Sequence, residues 1–188
     1  MNTLKTILVL TNLTFLLLIN SCKKDDDKVP NPEPPANESE VITTVKLSFI
    51  DSAGLVPSVE ATFKDPDGDG GNIPTVFDTI KLKANTTYYA SVILLDETKN
   101  PADTISNEVQ EEAEDHLFCY YPSAISISIL TTDVDANGYL VGLHSKWRVG
   151  SIGTGATQVI LKHQPEIKNG SCSLGETDID ILFPTKIE

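Results

Sequence analysis

The 188-residue chain has one methionine, one tryptophan and three cysteines, and nearly twice as many acidic as basic side chains, 27 against 14. The shortage of positive charge, a formal net of −13, excludes nucleic acid as a partner, because such a surface repels a phosphate backbone. The three cysteines, Cys22, Cys119 and Cys172, include no Cys-x-x-Cys pair. Neither a thioredoxin-like motif nor a zinc ribbon is therefore encoded. His116, His144 and His163 are widely spaced and form no His-x-x-x-His or His-Glu-x-x-His pattern. No Gly-x-Ser-x-Gly nucleophile elbow is present, and the glycines at 150, 153 and 155 lack the Lys-Ser/Thr ending of a phosphate loop. The chain reads as non-enzymatic.

A continuous apolar run of transmembrane length is also missing. The apolar stretches Ile7 to Leu10 and Leu13 to Ile19 are interrupted by Thr11, Asn12 and Thr14, whereas a spanning helix needs roughly 20 apolar residues. A single early charge, Lys5, a short apolar core and a small residue before a cysteine are the parts of a removable secretory signal. Leu18-Ile19-Asn20-Ser21-Cys22 resembles a bacterial lipobox. That resemblance implies cleavage after Ser21 and a lipid on the Cys22 sulfur. Several acyl chains hold a protein durably, since each buried methylene contributes ~0.8 kcal/mol.

Lys23-Lys24-Asp25-Asp26-Asp27-Lys28 follows, and Pro30, Pro32, Pro34 and Pro35 come next. Such a segment stays solvated and extends at about 3.1 Å per residue. The expected organisation is a signal peptide over 1–21, a lipidated, charged, Pro-rich tether over 22–39 and one domain over 40–188. Without residues 1–21 the chain has 13 basic and 27 acidic side chains, a net of −14.

From Val41 the hydrophobic period becomes two. Val41, Thr43, Val45, Leu47 and Phe49 share one face, as do Ile125, Ile127 and Ile129, and as do Val141, Leu143, Trp147 and Val149. Each is a half-buried strand. Further strands are expected over 59–64, 75–83, 87–96, 117–121, 157–163 and 177–183. The fold class predicted is an all-β antiparallel sandwich, immunoglobulin-like or similar, of about eight to nine strands. One segment departs from it: Ile105, Val109, Ala113 and Leu117 recur every four residues among Glu108, Glu111, Glu112, Glu114 and Asp115. This predicts one short amphipathic helix, capped by Asp103 or Thr104 and closing an edge or end of the sandwich. The glycines at 150, 153 and 155 read as a hairpin loop.

Two loops match Asp-x-Asp-x-Asp/Asn-Gly, formed by Asp65, Asp67 and Asp69 and by Asp133, Asp135 and Asn137. Alternate oxygens followed by glycine make the first half of a Ca²⁺ loop. The bidentate glutamate of the second half is replaced by Val76 and His144. Both loops are therefore candidate Ca²⁺ sites, completed by Asp78 or another acid, or else strand-connecting turns in which Asp, Asn and Gly satisfy the backbone. Cys119 and Cys172 are a candidate disulfide, which the exported compartment permits and which geometry decides. Tyr88, Tyr89, Tyr120, Tyr121 and Trp147 are either a ligand platform or core.

The acidic run after Cys22 resembles the export signal of surface lipoproteins of the Bacteroidota, and Asp51-Ser52-Ala53, Asp78-Thr79-Ile80 and Asp103-Thr104-Ile105 resemble their O-glycosylation sites. Together with Thr62 to Gly70, Leu94 to Thr98, Leu161 to Pro165 and Gly175 to Asp178, they make the chain similar to a family of small lipoproteins of that group. The resemblance implies attachment to the outer membrane, facing outward, with the periplasmic face as the alternative. Members often carry a type 1 periplasmic-binding label. That two-lobed α/β fold needs on the order of 250 residues with repeated βα units, and this chain offers alternating strands instead. The function expected is a binding domain for a glycan, small ligand or protein partner at the cell surface. A structural or adhesive module with calcium-stabilised loops is the alternative, and an unrecognised hydrolase ranks last.

Overall fold

The computed structural model describes residues 40–68 and 71–188. The signal peptide, Cys22, the tether to residue 39 and Asp69 lie outside the described residues. Ten strands and one helix follow in chain order: β1 Thr44–Asp51, β2 Val59–Lys64, β3 Val76–Phe77, β4 Ile80–Leu82, β5 Thr87–Leu95, α1 Ile105–Glu111, β6 His116–Ser123, β7 Ile127–Thr131, β8 His144–Val149, β9 Gly153–His163 and β10 Glu176–Ile187. They form a six-stranded sheet, β3-β2-β1-β5-β8-β7, and a four-stranded sheet, β4-β10-β9-β6. The fold is an all-β sandwich. Every pairing is antiparallel except that of β4 with β10. No described helix is long and apolar enough to cross a membrane.

The alternation seen in the sequence sets the core. Val45, Leu47 and Phe49 of β1, Tyr88, Ala90, Val92 and Leu94 of β5 and Trp147 of β8 point inward from the larger sheet. Val159, Leu161, Ile181 and Phe183 meet them from the smaller one. At the centre Phe49 packs edge-on against Trp147 with ring centroids 4.9 Å apart, and the indole N–H donates to Ser145 Oγ at 2.8 Å. A buried aromatic polar group is thereby satisfied.

Three local expectations are corrected. The segment 75–83 is two strands, β3 in the larger sheet and β4 in the smaller, so nine expected strands become ten. Asp78 marks the step: its N–H donates to Thr62 O and its carboxylate accepts the Thr62 N–H, both at 2.9 Å. Beyond it Ile80 and Leu82 bury fully against the opposite sheet. The helix ends at Glu111, and Leu117 belongs to β6, where the ladder opposite Lys162 claims it. Thr104 stands at the N-cap position without a side-chain cap bond. Finally, residues 150–152 are a crossover between sheets and not a hairpin, because β8 pairs with β5 and β7 while β9 pairs with β6 and β10. Glycine permits this close passage: a Cβ on Gly155 would lie 2.3 Å from Ser123 O, and one on Gly150 would lie 2.2 Å from Ser126 Oγ.

Candidate functional site

β6 begins and β9 ends at the same end of the smaller sheet, in a register that sets His116 opposite His163. Their rings stack, with centroids 4.8 Å apart and planes 8° from parallel. β10 begins beside them, and a register shift between Thr177 and Ile179 interrupts its ladder at Asp178. The turn after α1 supplies Glu112, whose carbonyl lies 3.1 Å from His116 Nδ1. Glu40, just ahead of β1, brings a carboxylate oxygen to 3.7 Å from His116 Nε2. Oxygens of Glu40 and Glu112 and a ring nitrogen of His116 all lie within 4.8 Å of one another.

This cluster is electrostatically unusual. The His116 side chain is 1% exposed and that of Glu40 13%. Burial, reinforced by Asp178, Glu108 and Glu112, pushes the Glu40 carboxyl up to about 7. Burial likewise raises Asp178 above the usual carboxyl range. It also lowers His116 below the usual imidazole value, with His163 acting in the same direction against the bond to the Glu112 carbonyl. Glu40 Oε2 and Asp178 Oδ2 are buried and find no hydrogen-bond donor among the described residues. A carbonyl only accepts, so Nδ1 carries the proton and Nε2 presents a lone pair toward the carboxylates. Two acceptors facing each other in a buried place call for a positive centre between them, either a proton or a metal ion.

The two Asp-rich loops are built differently from this cluster. In the second, Asp135 Oδ1 accepts the N–H groups of Asn137 and Tyr139, each at 2.9 Å, and Oδ2 lies 2.8 Å from the ammonium of Lys168. Asp133 accepts the N–H groups of Gly142 and His144 at 3.0 and 3.1 Å. These carboxylates serve the backbone and a lysine, as a turn requires. In the first loop Asp65 is buried. Asp67 Oδ2 there accepts both the N–H and the side-chain amide of Asn72.

Cys119 and Cys172 are joined, with Cα atoms 6.2 Å apart. The bond fastens the β9–β10 loop to β6. Tyr88 and Trp147 are core residues, and the Tyr120 hydroxyl donates to Gly142 O at 2.5 Å. Only Tyr89 and Tyr121 of the five expected aromatics are exposed, and they belong to different sheets, so no common platform forms.

The outer face of the larger sheet carries a second feature. Ile50, Tyr89, Lys146 and Leu130 are successive cross-strand partners over four strands. Ile50, Tyr89 and Leu130 are each more than half exposed. The Lys146 ammonium lies 5.5 Å from the Tyr89 ring centroid. Lys46, opposite the exposed Ile93, and the exposed Arg148 add positive charge to this face.

Sequence reasoning missed the Glu40, Glu112, His116 and Asp178 grouping. Both strands carrying the histidines were legible, but the register that faces 116 with 163 was not. No protein-family model, curated protein or solved structure matches the chain.

Proposed function

We propose that this chain is an exported lipoprotein, cleaved after Ser21, lipidated on Cys22 and held on the outer membrane. Its non-enzymatic sandwich domain binds an acidic protein partner through the outer face of the larger sheet. The lipobox-like Leu18 to Cys22 and the charged run after it support export and anchoring. The Cys119–Cys172 bond also supports an oxidising compartment.

The observation that carries the binding role is the exposed row Ile50, Tyr89, Lys146 and Leu130, with Lys46, Ile93 and Arg148 around it. Apolar and aromatic groups rimmed by polar ones have the anatomy of a protein interface, in which Tyr and Arg commonly dominate. Lys46, Lys146 and Arg148 outnumber the exposed Glu60 beside them on this face, which favours an acidic partner by steering and orientation. A small ligand would need a concave pocket with convergent polar groups, and a sheet face provides an open surface.

A photo-crosslinking residue placed at Tyr89, and separately at Tyr121, in living cells tests this reading. Tyr89 should yield one discrete protein adduct that is lost on Lys146→Glu with Arg148→Glu. No adduct at Tyr89, or an adduct from Tyr121 alone, would contradict it.

A further inference from the structure

We propose that Glu40, Glu112 and His116 bind one divalent transition-metal ion of the zinc class, with His116 Nε2 and one oxygen from each glutamate as ligands. One imidazole and two carboxylates fit zinc or a neighbouring first-row ion better than calcium, which takes oxygen alone. Three protein ligands with the remaining position left to water is a common zinc arrangement.

Several observations independent of the acidic character of the region point to a cation. His116 is almost fully buried, and its Nε2 faces Glu40 Oε1 at 3.7 Å, beyond direct hydrogen-bond reach. Its Nδ1–H is committed to the Glu112 carbonyl, which is how ligating histidines are usually oriented and their tautomer fixed. Glu40 Oε2 is buried without a donor, and an ion between the two groups would satisfy both. Asp178, at the register shift where β10 begins beside His163, leaves a second buried carboxylate oxygen without a donor in the same region. Glu112 is exposed and closes the site from the solvent side. Because Glu40 precedes β1 and His116 opens β6, the ion would clip the stretch leading into the domain to the α1–β6 turn.

The test uses the untagged full chain in detergent, stripped with EDTA and titrated with Zn(II) by calorimetry, with Co(II) absorption as a second readout. One ion per chain should bind with a Kd below about 10 μM. Glu40→Gln and Glu112→Gln, which keep side-chain size, should each weaken binding at least about tenfold, as ligand-shell changes do. His144→Ala should leave binding unchanged, and Ca(II) should not compete. Glu112 is exposed, so its substitution keeps the fold even if changes at buried His116 do not. Absence of binding below about 100 μM, or binding that both glutamine variants leave untouched, would overturn the proposal.

Discussion

The two ends of the sandwich join successive strands by opposite means. Where β1 begins, the four connections each have eleven or more residues; at the far end none exceeds seven. Long loops have more freedom to lose, and this end is correspondingly cross-linked. The disulfide ties residue 172 to β6. Lys168 bridges Asp135 and the carbonyl of Ala113. Gln164 donates to the carbonyls of Ser171 and Leu174. The far end has only short turns, with Gly150 and Gly155 packed against residues 123–126. It has a cleft of about 350 Å³ between residues 56–59, β4 and Tyr88, but the Tyr88 hydroxyl is already held by the Lys83 N–H. Chemistry-bearing side chains gather where loops are long and fastened, which is where a rigid scaffold commonly carries function.

That contrast can be broken most sharply at the disulfide. Replacing Cys119 and Cys172 by serine removes a constraint between residues 53 positions apart and should cost about 3–4 kcal/mol by the chain-entropy account. Denaturation with and without reductant measures it. Amide exchange should accelerate over 164–175 and leave 124–126 unchanged; a uniform acceleration would erase the distinction between the ends.

Lys168→Met should come next, at about 2–3 kcal/mol, because it leaves the Asp135 carboxylate buried beside an apolar chain. A double-mutant cycle with Asp135→Asn should recover part of that loss. At the opposite end, Gly155→Ala forces a methyl group against Ser123 O and should cost about 1–3 kcal/mol. Zinc titration of that variant should match the parent.

Acid gives a smaller effect with a defined sign. Burial pushes the Asp135 carboxyl up, but the Lys168 ammonium and the N–H groups of Tyr139 and Asn137 outweigh it and hold the group below its usual value. A depressed folded value contributes stability above the unfolded pKa, about 3.9, and that contribution disappears as pH falls through the folded one. Denaturation midpoints between about pH 5 and pH 2 should therefore fall less steeply in Lys168→Met than in the parent. The smallest change is expected at Lys99, whose pair with Asp103 is largely exposed: Lys99→Ala should leave the denaturation midpoint nearly where it is in the parent.

Much of the sandwich was legible because period-two patterns state which face of a strand is buried. Val45, Leu47 and Phe49 lie inward as their alternation requires, and so do Trp147 and Val149. What pattern does not state is partnership. Residues 75–83 read as one strand, yet Phe77 packs on Phe63 in the larger sheet while Ile80 joins β10 in the smaller; the one break in the pattern is Asp78, a polar residue on the face of Ile80 and Leu82. The helix was overextended for a related reason, since Leu117 fits a spacing of four and a strand equally well. The Glu40, Glu112 and His116 cluster depends on register and on a turn, neither of which is written in the spacing of its members. Asp133 and Asp135 share a motif spacing, but their carboxylates accept backbone N–H groups and Asp135 pairs with Lys168.

Export and anchoring rest on the processed amino terminus, and intact mass of the protein extracted from membranes reads it. The expected species is a chain beginning at Cys22, heavier than its polypeptide by an attached lipid and lighter by two hydrogens for the Cys119–Cys172 bond. A chain still carrying residues 1–21, or one with an unmodified thiol at Cys22, would contradict it.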